Sequence, residues 1–118
     1  MKVEILHNPR CSKSRQALAL LQAAAQEKAL DIEIVEYLKT PPDAARLAEL
    51  RDMLGVTARD MMRPKEAPYR DLELAAESDE AALLAAMAAH PILIERPIVV
   101  IGKRAAICRP PERVETLF

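Results

Sequence analysis

Polar and apolar positions alternate over Lys2 to Leu6, which predicts a short strand. His7-Asn8-Pro9-Arg10 reads as a loop, because Pro9 biases Asn8 toward extended geometry. From Ser12 to Lys28 the apolar positions Ala17, Leu18, Leu20, Leu21, Ala24 and Ala25 follow a helical period. Asp31 to Tyr37 alternates again and predicts a second strand. Residues 2–37 therefore form a β-α-β unit, a connection that normally joins parallel strands.

Beyond Thr40-Pro41-Pro42 a helix runs to Leu54, with Thr40 or Asp43 as candidate cap and Gly55 placed to end it. Thr57 is expected to cap a short helix over 58–62, and Pro64 and Pro68 to break the next stretch. A helix over 80–89 is capped by Ser78 or Asp79 and closed by His90-Pro91. Arg96 to Ile101 reads as a strand, Gly102-Lys103 as a turn and Arg104 to Cys108 as its pairing strand. Pro110-Pro111 then opens a last helix over 112–117. This order is that of an α/β, thioredoxin-like fold: a small mixed sheet flanked by helices, with an inserted helical segment at about 41–78. At 118 residues a single domain is expected.

Composition removes several function classes. The chain has 51% apolar residues, 17 Lys and Arg against 18 Asp and Glu, and a net charge of −1. That balance gives no electrostatic case for nucleic acid or an anionic membrane. No apolar run approaches the length of a membrane span, and no secretory leader is read at the N-terminus. With only two cysteines, a cytoplasmic location is expected. Only Gly55 and Gly102 are present, which excludes a Gly-rich phosphate loop. The His and Cys spacing matches no metal site, so no metal is expected. No apolar surplus lies outside the predicted core faces, so a monomer is expected.

Cys11 falls where the first strand ends and the first helix begins. Orphan N–H groups and the helix dipole converge there, and both stabilise a thiolate. His7, Arg10, Lys13 and Arg15 surround it in sequence, with no carboxylate between them. That pattern suits a nucleophile facing an oxyanion. Ser14 supplies a hydroxyl able to donate to the sulfur or to an anion. A Cys-x-x-Cys pair is absent because Ser14 holds the second place, and a Cys-x5-Arg loop is absent because position 17 is Ala. Any redox cycle needs an outside thiol or Cys108, which more simply reads as a small packed residue.

The run His7-Asn8-Pro9-x-Cys11-x-x-Ser14-Arg15 resembles the signature of the glutaredoxin-coupled arsenate reductase family. The similarity continues in Tyr37-Leu38-Lys39-Thr40-Pro41-Pro42, in Met62-Arg63, in His90 to Val100 and in Cys108-Arg109-Pro110. The resemblance implies the same thioredoxin-like fold, with Cys11 attacking arsenate. Glutathione would be the reducing co-substrate, glutaredoxin the protein partner, and no bound cofactor is implied. By motif, Arg63, Arg96 and Arg109 would bind the oxyanion, with Arg15 beside them. His7 and Ser14 would tune the thiolate, and Pro97 would be a cis-proline beside it. Two alternatives stay open: glutathione-dependent thiol-disulfide exchange, and a redox-responsive regulator bound to RNA polymerase.

Overall fold

The computed structural model describes residues 1–118, which separate into two compact units. The first comprises Met1–Thr40 and Arg96–Phe118, and the second Pro41–Glu95.

Four strands make the sheet of the first unit: β1 (Lys2–His7), β2 (Asp31–Glu36), β3 (Ile98–Ile101) and β4 (Arg104–Ile107), in the order β2-β1-β3-β4. β1 and β2 are parallel, with His7 opposite Glu36, and are joined by helix α1 (Ser12–Lys28). β3 is antiparallel to both neighbours, with Ile98 opposite Leu6 on one side and Ile107 on the other. This register brings four chain segments to one end of the sheet: those after β1, after β2, before β3 and after β4. Cys11, Arg96 and Arg109 meet there although most of the sequence separates the first from the other two.

The alternation read in β1 is a core pattern. Val3 and Ile5 pack with Ala17 and Leu21 of α1, Val99 and Ile101 of β3, and Val114 and Leu117. Removing such side chains from water is the main force holding the layers together. The turn at Gly102 needs a positive φ, here 61°, which glycine adopts without steric cost.

Several local details differ from the sequence reading. The stretch expected as a helix over 58–62 is a 3-10 turn, Arg59–Met61, with Ala58 at its head and no side-chain cap from Thr57. The third strand opens at Ile98 rather than Arg96: Pro97 has no N–H for a ladder, although its carbonyl accepts the Cys108 N–H at 2.9 Å. The C-terminal segment Pro111–Leu117 is a 3-10 helix, its Val114 and Leu117 facing the core three residues apart. Pro68 does not simply break the chain. It lies in the first turn of a short helix, α3 (Ala67–Asp71), where its missing N–H is not needed.

In the second unit, helix α2 (Ala44–Leu54) is capped by Asp43, which accepts from the Arg46 N–H at 2.8 Å. Gly55, at φ 68°, ends it by donating to the Arg51 and Asp52 carbonyls. Helix α4 (Glu80–Ala89) is capped by Asp79 and packs on α2. Between them, Arg59 donates to the Tyr69 hydroxyl and to the Leu74 and Glu77 carbonyls. Those bonds tie the 3-10 turn Arg59–Met61 to α3 and to the segment that leads into α4. No helix is long and apolar enough to cross a membrane.

Candidate active site

Cys11 is the N-cap of α1, with extended backbone (φ −92°, ψ 121°). Its N–H donates to the Asn8 carbonyl at 3.0 Å, and its carbonyl accepts from the Arg15 N–H at 3.0 Å. The turn is fixed further by Asn8, whose side-chain oxygen accepts the Arg10 N–H at 3.0 Å. Arg15 donates from Nη1 to the Pro9 carbonyl at 2.9 Å. Cys11 is partly exposed, and the first turn of its helix carries no acidic residue.

Burial pushes the Cys11 thiol up. The backbone N–H of Ser14, the Arg96 guanidinium and the Lys13 N–H outweigh that, and the group lies below the ordinary thiol range. Arg109 reaches the same atom from the far end of the chain, with Nη1 4.0 Å from Cys11 Sγ and 3.3 Å from the Arg96 carbonyl. Arg96 holds its Nε buried without a hydrogen-bond partner. A buried guanidinium N–H left unpaired is costly, and a bound anion would satisfy it. The peptide bonds Arg96–Pro97 and Arg109–Pro110 are both cis; the family resemblance anticipates the first and not the second.

His7 Nδ1 lies 2.6 Å from Ser14 Oγ, both residues being buried. Ser14 Oγ also accepts the Asn8 N–H at 3.0 Å. Burial lowers the His7 pKa, assisted by the Arg15 charge and opposed by Glu36. Asn8 stands in the loop and in the signature run, but sequence reasoning gives it no role in the site. It contributes its N–H, its carbonyl and its side chain to the turn, and its place before Pro9 is the available signal.

The model of the ArsC family matches residues 6–117. The chain belongs to the ArsC family. It is 51% identical to the Escherichia coli K12 protein YfgD, described as uncharacterized, over 96% of this chain and 93% of that one. It is 47% identical to the arsenate reductase of Neisseria meningitidis serogroup A, over 99% of this chain and 98% of the relative. Among solved structures, the arsenate reductase from Vibrio cholerae superposes with a TM-score of 0.90 at 44% identity, covering 100% of this chain and 98% of that one. As a member of this family, the chain has the α/β, thioredoxin-like fold that its order of elements predicts.

The remaining predicted site residues have definite local settings. Arg63 lies in the second unit, its Nη1 3.3 Å from Glu95 and its Nε 3.5 Å from Glu66 without hydrogen-bond alignment. Cys108 is buried, with its thiol 3.7 Å from the Ala106 carbonyl and pushed up by burial to about 11. A thiol so placed is a packing group that stays protonated at neutral pH.

Proposed function

We propose that this protein is an arsenate reductase that uses Cys11 as nucleophile and glutathione with glutaredoxin as reductant. The observation that carries this reading is the approach of the Arg109 guanidinium to the Cys11 sulfur. A disulfide-exchange site has no need of an oxyanion clamp beside its sulfur, whereas arsenate does. Arsenate is negatively charged at neutral pH, so attack by a thiolate brings like charges together. The guanidinium groups of Arg96 and Arg109 offset that repulsion and hold the oxygens in fixed geometry.

In the first step the Cys11 thiolate bonds to arsenic, and one arsenate hydroxyl takes a proton from solvent and leaves as water. Glutathione then attacks the Cys11 sulfur. The S–As bond breaks with its electron pair going to arsenic, which departs as arsenite, and a mixed disulfide remains. A glutaredoxin thiol takes the glutathione and restores Cys11. Cys108 is too deeply buried to supply the second thiol, which favours one from outside.

Turnover of arsenate with glutathione, glutaredoxin and NADPH-coupled recycling tests the reading. Cys11→Ser should abolish it, and Arg109→Ala should slow it about a hundredfold. Wild-type turnover in either variant would overturn the assignment. Turnover of glutathionylated peptides by the wild type, with none of arsenate, would favour the exchange activity instead.

A further inference from the structure

The setting of Cys11 also favours attack on an O–O bond. Its sulfur is partly exposed, so a small oxidant can reach it. The backbone N–H groups of Ser14 and Lys13 and the Arg96 guanidinium favour its thiolate, the form that hydroperoxides oxidise. A second cation faces the same atom: Arg109 Nη1 lies 4.0 Å from Sγ and is steadied by donating to the Arg96 carbonyl at 3.3 Å.

When a thiolate attacks one oxygen of a hydroperoxide, negative charge develops on the other. A donor already fixed beside the sulfur stabilises that charge without having to reorganise. A hydroperoxide is itself uncharged, so it meets the thiolate without the repulsion that arsenate must overcome. The fold also decides what becomes of the oxidised sulfur. Cys108 is packed in the core with Val99 and Val114, and its thiol is pushed up to about 11. It is not available to close an internal disulfide, so the oxidised sulfur waits for a thiol from outside.

We propose that Cys11 also reduces hydroperoxides, with the Arg109 guanidinium stabilising the departing oxygen. The thiolate sulfur bonds to one peroxide oxygen, and the O–O bond breaks with its electron pair going to the other. That second oxygen takes a proton from solvent and leaves as water or an alcohol. The sulfur, oxidised by two electrons, becomes a sulfenic acid. A small thiol attacks it, the hydroxyl leaves as water, and a second small thiol resolves the mixed disulfide. The proposal rests on the reading of Cys11 as a nucleophile. It is independent of which oxyanion is reduced.

The test therefore uses hydrogen peroxide and no arsenate. The sulfenic acid is trapped with dimedone and followed by mass spectrometry, and its rate is set beside that of alkylation by iodoacetamide. Both reactions need the thiolate, but iodide leaves with little help from a donor. A change in thiol acidity alone would move both rates together. In Arg109→Ala the ratio of oxidation to alkylation should fall at least about tenfold, and Arg109→Lys should recover part of that loss. A ratio unchanged in Arg109→Ala overturns the role of Arg109. Wild-type consumption of hydrogen peroxide with 2-mercaptoethanol no faster than that of Cys11→Ser overturns the activity. Absence of arsenate turnover in the wild type, with the ratio still falling in the variant, would remove the arsenate reading and leave the hydroperoxide activity standing.

Discussion

His7 Nδ1 and Ser14 Oγ are 2.6 Å apart and both residues are buried, so one end of β1 is bonded to the first turn of α1, three residues beyond Cys11. Ser14 Oγ also receives the Asn8 N–H. Ser14→Ala leaves both partners unsatisfied, at a cost of about 2 kcal/mol. Urea unfolding should show that loss, and Ser14→Thr should recover part of it. An unchanged midpoint for Ser14→Ala would mean that water replaces the hydroxyl.

The same burial makes stability depend on acid. The folded-state pKa of His7 is lowered from its ordinary 6.5, so the unfolded chain binds more protons as the solution is acidified below that value. Stability should therefore fall as the pH drops below about 6.5, until the folded imidazole also protonates. His7→Gln should flatten this limb of a thermal-stability profile measured between about pH 5 and 8. A wild-type profile flat over that interval would contradict the shift.

Cys11 should titrate below the ordinary thiol range, followed by thiolate absorbance in the ultraviolet. Arg96 both hydrogen-bonds to the thiolate and attracts it, so Arg96→Leu should move the midpoint upward and slow alkylation by iodoacetamide at neutral pH. Titration of the variant at the wild-type midpoint would leave the Ser14 and Lys13 N–H groups as the whole cause.

Cys108 should resist alkylation in the native protein and react only on unfolding, since its pKa is raised to about 11 and it is buried. Limited labelling followed by mass spectrometry should find the modification on Cys11 alone. Cys108→Ala should leave arsenate turnover at the wild-type level. Native-state labelling of Cys108 at a comparable rate would reopen it as a redox partner.

Gly55→Ala should cost about 1 kcal/mol of stability, read from urea unfolding. The added methyl group meets nothing within 4 Å, so the cost would come from the positive φ of 68° alone. Gly55→Asn, which tolerates that conformation better, should lose less. Equal losses for the two variants would point to a cause other than backbone strain.

Features decided by near neighbours in the chain are legible in the amino-acid order alone. Asp43, Gly55 and Asp79 mark helix ends because a cap is made within a few residues. The span Ser12–Lys28 follows from its apolar period, and Cys11 at the head of that helix follows from the element order. Strand and helix edges around Arg96 and Pro111 are less legible, because pairing partners and packing depth set them.

How the chemistry-bearing side chains are used emerges only on folding. Arg15 and Arg109 are equally basic in the sequence, yet Arg15 donates to the Pro9 carbonyl while Arg109 turns toward the Cys11 sulfur from 98 residues away. Cys11 and Cys108 are the same residue type, one partly open and acidified, the other sealed in the core. Burial and charge proximity are properties of strand register, which brings distant segments to one end of the sheet. Local periodicity carries no record of which segments meet.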